Sequence, residues 1–457
     1  MKATSSRLIV GRLREVSTIG VVSALAAAYG TVLFGASDIM TALADVEDGS
    51  AGILLGVVAS VFIMIALFVS AVVISNGVDT VIASRTQQLT LLRLIGADSR
   101  QLRAGLLRAV AQVATIGTVA GVVIGIALLA AVRAVLGARD VLPASSYAVL
   151  PTGSIAAAVA VVATALAATA IGARRPLGAS ALQGSAPVRT GIRGAVAGTA
   201  ILLGGLLLAI ACVLGERASL AGFGVAFLGS ATVGIGVLIG ARLFLPTVVA
   251  AVGRLGGDGP SALVARKNAI SDPARTARST VGLLIGVTLI TTIAAGMSAL
   301  GASVHSWEGM SPQDAAETER ILSAISAVLI ALIAISAVIA GVGFVSTMSL
   351  TVISRTREIG MLRAMGFTGR QIRSMITLES LALSGAASLV GLLLGLIFGS
   401  VGSQSLIGGI TDGFHLGLPW PALVGIVIAT ALLVVIASLP PSRRAVAVAP
   451  TTALATA

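Results

Sequence analysis

A basic segment of twenty residues occurs twice in this chain, with the copies 270 positions apart. They read SRTQQLTLLRLIGADSRQLR from Ser84 to Arg103 and SRTREIGMLRAMGFTGRQIR from Ser354 to Arg373, and nine positions are identical. Arginine guanidinium groups can pair with acids on a partner, and leucines at helical spacing can enter an apolar surface. These residues therefore indicate binding chemistry, and their repetition indicates a duplicated unit.

Each copy is predicted to form a short amphipathic helix, a corner and a second helix. The helical stripe consists of Leu89, Leu92 and Gly96 in the first copy and of Ile359, Leu362 and Gly366 in the second. The glycine would end the first helix, and Thr368 with Gln371 resembles a capping box that starts the next one. Such an elbow could lie among lipid headgroups, or it could dock onto a partner that is itself duplicated.

The composition indicates that these elbows belong to an integral membrane protein. Apolar residues make up 56% of the chain and charged residues 11%, and the mean hydropathy is +1.05. Uninterrupted apolar runs long enough to cross a hydrocarbon core of about 30 Å lie at 17–37, 52–75, 109–132, 153–172, 195–214, 222–241, 280–302, 321–350, 379–402 and 420–439. An all-α fold with ten transmembrane helices is therefore predicted.

The distribution of basic residues predicts the orientation of these spans. When the termini and the even-numbered connections are assigned to one face, that face carries all but four of the 30 lysines and arginines. The exceptions are Arg133, Arg139, Arg217 and Arg320. Cytoplasmic loops are enriched in Lys and Arg, so both termini are predicted to be cytoplasmic. The basic loops are not interleaved with aromatic residues, which favours contact with lipid headgroups over nucleic-acid binding.

The duplication extends beyond the elbows. The Ser17–Gly20 segment before the first span recurs as Ser279–Gly282 before the seventh, and Gly121 and Gly125 recur as Gly391 and Gly395. Spans one to four and seven to ten are therefore predicted to be two parallel four-helix repeats, at 1–175 and 256–457. A connecting pair of transmembrane helices at 176–255 would join them, and no large extracytoplasmic domain is expected.

Residues for catalysis were not found in the sequence. The chain lacks a G-x-x-x-x-G-K-[ST] motif and contains two lysines, Lys2 and Lys267, so it cannot form its own P-loop. His305 and His415 have no Cys or carboxylate at ligand spacing. We therefore expect no catalytic residue, metal or cofactor in this chain. Glu379, at the start of the ninth span, is expected to pair with an arginine at the inner boundary.

Three segments resemble the FtsX-like/MacB-type permeases, which are membrane subunits of type VII ABC transporters. They are S-R-T-R-E-I-G-M-L-R-A-M-G from Ser354 with R-Q-I from Arg370, L-V-A-R-K-N-A-I-S-D-P-A-R-T-A-R-S from Leu263, and L-P-P-S-R-R-A-V-A-V-A-P-T-T-A-L from Leu439. The second half matches closely. The first half matches loosely, since Gln87-Gln88 stands where the family usually has Arg-Glu. The ten spans are similar to the single-chain members of the family.

The resemblance implies that each elbow is a coupling helix seated in a groove of a cytoplasmic ABC ATPase dimer, which would bind ATP and Mg. The coupling residues that it implies are Arg355, Glu358, Ile359, Leu362, Arg363 and Gly366, and by the repeat Arg85, Leu89, Leu92, Arg93 and Gly96. The chain itself would be a multi-pass protein of the bacterial cell membrane.

The predicted function is that of a permease subunit that couples ATP hydrolysis by its partner to export or membrane extraction of an amphiphilic or peptide-like substrate. Family members usually carry a large domain between the first two spans of a repeat, but Asp38–Ala51 and Gly301–Arg320 are too short for one. A mechanotransmission subunit that drives or regulates an extracytoplasmic partner is the alternative. An ion-coupled secondary transporter is disfavoured, because the spans contain almost no ionisable residues.

Overall fold

A computed structural model describes residues 13–44, 98–137, 151–172, 190–219, 221–303, 356–409 and 413–447, with isolated positions at 313, 316 and 411. Its helices are α1 (Leu13–Ala44), α2 (Ser99–Gly137), α3 (Thr152–Gly172), α4 (Thr190–Glu216), α5 (Ala221–Val252), α6 (Pro260–Ser271), α7 (Pro273–Ser303), α8 (Thr356–Ala364), α9 (Gly369–Ile407) and α10 (Trp420–Ala447). A 3₁₀ turn, Gly253–Gly256, follows α5. The described residues contain no β-strand, which confirms the all-α prediction for this part of the chain.

Several of these helices are long and apolar enough to cross a membrane. Within the described residues there are six such segments: Arg100–Ala131, Gly153–Ala170, Gly191–Glu216, Ala221–Gly256, Pro273–Ser303 and Gly369–Ile407. Shorter apolar stretches lie in α1 and α10. Helices are expected here because a spanning backbone must satisfy its own hydrogen bonds in lipid. The chain is therefore a multi-pass membrane protein.

The number of spans stays a prediction. Eight of the ten predicted spans coincide with described helices. The second and eighth, at 52–75 and 321–350, lie outside the described residues. The eighth run, Ile321 to Leu350, would measure roughly 45 Å as a helix, which predicts that these two spans project beyond the bilayer or tilt strongly. That prediction also concerns residues outside the described part of the chain.

The first of two compact units, Met1–Ala186, contains α1, α2 and α3. Its apolar core joins all three helices and includes Ile19, Val22, Leu106, Val110 and Val161. At the end of α3, the Arg103 Nη2 group on α2 donates a hydrogen bond of 3.0 Å to the Ala170 carbonyl oxygen. A cation at a helix C-terminus is favourably placed, because the last carbonyl groups carry partial negative charge.

The second compact unit, Pro187–Ala457, is built around α9. This helix packs against α4, α5, α6, α7 and α10. One apolar cluster joins Leu208 of α4 and Val233 and Val237 of α5 to Phe398 of α9. The connecting pair α4 and α5 thus belongs to the same compact unit as the second predicted repeat. The division of the sequence at 175 and 255 stays a prediction.

The two longest helices have the same length and the same place in the numbering. Both α2 and α9 have 39 residues, and their first residues are 270 positions apart, as in the repeated segment. A helix of 39 residues is about 58 Å long at 1.5 Å per residue. Each is therefore longer than a hydrocarbon core of about 30 Å, so α2 and α9 either extend beyond the core or cross it at a strong tilt.

Glycine allows each of these long helices to approach one neighbour closely. A Cβ on Gly125 of α2 would lie 2.7 Å from the Thr31 Cβ and 2.9 Å from the Ala28 carbonyl oxygen, both in α1. A Cβ on Gly395 of α9 would overlap Thr291 and lie 2.7 Å from the Thr288 carbonyl oxygen, both in α7. Small residues at such positions let helix backbones pack tightly in lipid. The same contact therefore occurs within each unit.

Candidate functional site

The second elbow begins with α8, which ends at a corner closed by backbone hydrogen bonds. Gly366 has a φ of 98°, a conformation that glycine adopts without steric cost. The Phe367 N–H donates to the Leu362 carbonyl at 3.0 Å, and the Gly366 N–H donates to the Arg363 carbonyl at 3.1 Å. These two bonds define a Schellman motif. The predicted role of Gly366 as a helix stop is confirmed.

The corner passes directly into α9 through a capping box. The Thr368 N–H donates to the Gln371 Oε1 atom at 2.8 Å, and the Gln371 N–H donates to the Thr368 Oγ1 atom at 3.3 Å. This confirms the predicted capping box. Phe367 alone separates the stop of α8 from the cap of α9, so the backbone on both sides of the corner is held by hydrogen bonds.

The apolar stripe of α8 packs against its own chain. Ile359 is buried in a cluster with Ala265 of α6 and with Ile372, Met375 and Ile376 of α9. Leu362 and Phe367 are partly buried at the edge of this cluster. Contact between these two side chains is the usual companion of a Schellman motif. The stripe predicted to meet a partner is therefore largely covered by α6 and α9.

A different face of the elbow is open. Met361 and Met365 are 48% and 71% exposed, and we call this pair the methionine face. Glu358 is exposed and Arg363 is partly buried. Methionine is flexible and polarisable, so it adapts to varied apolar surfaces. The methionine face is thus the apolar part of the described elbow that a partner could reach.

Part of the predicted site lies outside the described residues. This applies to Arg355 and to all five residues of the first elbow, Arg85, Leu89, Leu92, Arg93 and Gly96. Asp98 lies immediately before the first residue of α2. Its Oδ1 atom accepts from the Arg100 N–H at 3.2 Å, as an N-cap does. The coupling roles of all eleven residues stay predictions.

A buried ion pair joins α7 to α9, further along α9 than the elbow. The Arg275 Nη2 atom lies 3.0 Å from the Glu379 Oε1 atom, and the side chains are 16% and 6% exposed. The pairing expected for Glu379 is confirmed. Arg275 occupies the first turn of α7, where its N–H also donates to the Asp272 Oδ1 atom at 3.0 Å. The pair therefore connects the start of α7 to α9.

Helix α6 joins the elbow to this ion pair. Ser261 near its N-terminus donates a 3.1 Å hydrogen bond to the Gln371 carbonyl in α9. Near its C-terminus, the Ala269 carbonyl accepts from the Thr276 hydroxyl of α7 at 2.8 Å. Sequence reasoning missed Arg275 and this role of α6. The detectable signal was a stripe of small residues at helical spacing, Ser261, Ala262, Ala265 and Ala269, all of which are buried.

The described contacts of this site are apolar packing, hydrogen bonds and an ion pair. No group of three His, Cys, Asp or Glu residues that could hold a metal occurs in the described part of the chain. What the site provides is a capped corner, an exposed methionine face and an ion pair that connects α7 to α9. Such an arrangement can bind a partner and pass its movement to transmembrane helices.

Curated relatives match parts of the chain. A macrolide export ATP-binding/permease protein, MacB of Nitrobacter winogradskyi, is 36% identical over 118 residues, which cover 25% of this chain and 17% of that protein. The ABC transporter permease YknZ of Bacillus subtilis is 31% identical over 140 residues, 31% of this chain and 34% of that protein. The pyoverdine export ATP-binding/permease protein PvdT of Pseudomonas putida is 33% identical over 134 residues, 29% of this chain and 18% of that protein.

These matches span about a third or less of the length of each relative. The family model described as the C-terminal part of FtsX-like permeases matches this chain twice, at residues 60–180 and 330–450. The two matches are again 270 positions apart, and together they cover more than half of the chain. Each includes one copy of the repeated basic segment. The chain therefore belongs to the FtsX-like permease family.

Proposed function

We propose that this chain is the permease subunit of an ABC transporter and that its elbows dock onto a separate cytoplasmic ATPase dimer. The observation that supports this is the capped corner between α8 and α9, with the methionine face exposed beside it. Because hydrogen bonds hold the corner on both sides, a displacement of α8 would move α9 instead of bending the corner. The first elbow, with Arg85 to Gly96, is given the same role by the repeat.

These 457 residues contain no P-loop, so the proposed ATP-binding site lies outside them, in an ATPase partner. ATP and Mg would bind to that partner. The names of two relatives describe export, of macrolides and of pyoverdine, so we propose export or membrane extraction of an amphiphilic or peptide-like substrate. The basic face of the chain would be cytoplasmic in the bacterial cell membrane, together with both termini.

The path of movement follows from the contacts within the second unit. The elbow continues directly into α9, and α6 contacts both the buried face of α8 and the first turns of α9. The Arg275–Glu379 pair then connects α9 to the first turn of α7. A displacement of the elbow would therefore move α6, α7 and α9 together.

The test uses variants of the methionine face. Met361→Asp with Met365→Asp places charge on an apolar surface whose burial is worth about 1.5–3 kcal/mol per side chain. This double variant should lose the ATPase that co-purifies with the chain from native membranes and the ATP turnover of the complex in nanodiscs. The matched control, Met361→Leu with Met365→Leu, keeps an apolar face and should retain both.

The proposal fails if no protein with a P-loop co-purifies with the wild-type chain, or if the double Asp variant behaves as wild type.

Leu362→Asp combined with Leu92→Asp should also abolish coupling, but for a different reason at position 362. Leu362 packs against the cluster beneath the elbow. Hydrogen exchange should show faster exchange of α8 amides in that variant, and unchanged exchange in the methionine double variant.

A further inference from the structure

Two elements of the second unit that pack on each other, the 3₁₀ turn and α6, each carry an exposed apolar and an exposed basic side chain. Leu255 in the 3₁₀ turn is 89% exposed and Ile270 in α6 is 56% exposed. Arg254 and Lys267, one in each of these elements, are also exposed. We call these four residues the boundary patch. None of them has a role in the proposed coupling mechanism.

The position of the patch along α9 indicates its depth. The predicted ninth span begins at Glu379, where the buried ion pair lies. The 3₁₀ turn packs on α9 on both sides of this residue, because a Cβ on Gly256 would lie 3.0 Å from Leu378 and one on Gly253 would lie 3.5 Å from Ala382. Leu255 therefore lies at the level of the inner membrane boundary.

The C-terminus of α6 reaches the same level. The Ala269 carbonyl is hydrogen-bonded to Thr276, the neighbour of the Arg275 that pairs with Glu379. Ile270 follows Ala269 directly, and Lys267 lies one turn earlier. Only Asp272 separates α6 from α7, and an extended residue spans no more than about 3.6 Å. The C-terminus of α6 is therefore held next to the N-terminus of α7.

We infer that the boundary patch binds anionic phospholipid of the inner leaflet. Leu255 and Ile270 would enter the boundary of the acyl region, while Arg254 and Lys267 would reach the phosphate groups. Basic residues beside a membrane helix attract anionic lipids, and long cationic side chains extend to the headgroups from an apolar surface. The inference requires a membrane protein with this inner face, and it does not depend on the ATPase partner.

Lipid binding at this place would stabilise the elbow as well. Helix α6 carries the patch on one side and covers Ile359 of the elbow with Ala265 on the other. A lipid held by Lys267 and Ile270 would therefore favour the arrangement in which α6 stays packed on α9. The expected consequence is slower hydrogen exchange in α8 when anionic lipid is present.

The depth of the patch can be measured on the full chain with its single cysteine removed by Cys212→Ala. Leu255→Cys and Ile270→Cys, each carrying an environment-sensitive fluorophore, should be quenched by lipids brominated near the headgroup and protected from aqueous iodide. Met365→Cys on the methionine face is the matched control and should be quenched by iodide. Labels at Leu255 and Ile270 that are as accessible to iodide as the label at Met365 would overturn the inference.

The lipid preference is tested in nanodiscs of phosphatidylcholine with increasing brominated phosphatidylglycerol. Arg254→Gln and Lys267→Gln should each raise the phosphatidylglycerol fraction needed for half-maximal quenching of the Ile270 label by roughly fivefold. Arg370→Gln, at an exposed position beside the elbow, should leave it unchanged. Equal quenching by brominated phosphatidylcholine and phosphatidylglycerol would overturn the anionic preference. Protection of the labels that appears only with a bound ATPase would identify the patch as a protein interface instead.

Discussion

The helix pairs α1/α2 and α7/α9 share the same glycine contact, but the arginine–carboxylate interactions described for them lie at opposite ends of the helices. In α7/α9, Arg275 and Glu379 pair beside the elbow, at the end that is predicted to face the cytoplasm and is called the inner end. The position 270 residues before Glu379 is Ala109, which is buried in α2. In α1/α2, Asp38 interacts electrostatically with Arg133, and both lie beyond the apolar segments that end at Gly35 and Ala131.

This difference shows which contacts can diverge in a membrane duplication. Within lipid, tight packing of small residues is what holds helices together, and a misplaced group has no water to compensate it. At the membrane ends, water and headgroups tolerate new charges. The second half has an inner ion pair where α6 and the elbow attach. In the first half, Asp38 is the carboxylate that interacts with the Arg133 side chain, and it lies at the opposite, outer end.

The largest expected effect comes from breaking the inner pair. Glu379→Ala leaves Arg275 buried without its carboxylate, and removing one partner of a buried pair typically costs roughly 3–5 kcal/mol. The variant should show a correspondingly lower free energy of unfolding in mild detergent. Hydrogen exchange should locate the loss at the first turn of α7 and in α6.

Two controls separate the burial of this pair from its charge. Asp258→Ala removes the exposed partner of Arg266, which lies at a similar distance of 3.1 Å, and should cost less than about 1 kcal/mol because exposed pairs contribute little. Arg275→Met combined with Glu379→Met should recover most of the stability lost in Glu379→Ala, since apolar residues of similar volume replace buried pairs well. Equal losses in Glu379→Ala and Asp258→Ala would contradict the claim that burial gives the Arg275–Glu379 pair its larger effect.

The shared contact is tested by adding one methyl group in each half. Gly125→Ala and Gly395→Ala both force α1/α2 or α7/α9 apart, and overpacking of this kind costs about 1–3 kcal/mol. The two thermal shifts should be similar. Gly282→Ala in α7 is the control, because nothing lies within 4 Å of a Cβ there, and it should stabilise the helix by about 0.5–1 kcal/mol. A loss in one half alone would mean that the two contacts are not equivalent.

Local chemistry in the sequence predicted the elbow well. Gly366 and Thr368 act within a few residues of backbone, so the helix stop and the capping box could be predicted without knowledge of the tertiary structure. The helices of the described spans were predictable because length and apolarity determine them. The pairing of Glu379 with an arginine was also expected, since a buried carboxylate requires a partner.

Long-range contacts were harder to predict. The match between Ser17–Gly20 and Ser279–Gly282 suggested an offset of 262 positions between α1 and α7. The glycine contacts place Thr31 and Thr291 at equivalent positions, 260 apart. The motif gives an offset from matching residue types, whereas the structure gives an offset from the residues that face each other across the packed helices. For the same reason the stripe of Ile359 and Leu362 gave no sign that α6, about a hundred residues earlier, would cover it.

A smaller effect is expected from the two caps that start the long helices. Thr368→Ala removes the side-chain acceptor of a reciprocal capping box and should cost about 1–2 kcal/mol. Asp98→Ala removes one exposed hydrogen bond of 3.2 Å and should cost about 0.5 kcal/mol. Hydrogen exchange of the first turn of α9 and α2 measures each loss locally. Thr368→Ser should preserve protection of the first turn of α9 from hydrogen exchange. Equal losses at the two caps would show that the Gln371 side chain adds no stability to the cap of α9.

The smallest expected effect concerns pH and the outer end of the first half. Burial raises the pKa of Asp38 above its ordinary value of 3.8, and the positive charge of Arg133 opposes this shift without cancelling it. Between the unfolded and folded pKa values, the folded state binds more protons than the unfolded state. Stability therefore falls as pH rises from about 3.8 through the folded pKa. The stability contributed by protonation of Asp38 is fully present below that pH window and is lost above it.

Asp38→Asn removes this titration, so unfolding measured between pH 3.5 and 7 should show a less negative slope of stability against pH than in the wild type. Because burial outweighs the attraction to Arg133, the variant should be at least as stable as the wild type above the window. Asp38→Glu keeps a carboxyl group and should keep a slope of the same sign. A wild-type slope in Asp38→Asn would place the titrating group elsewhere in the protein.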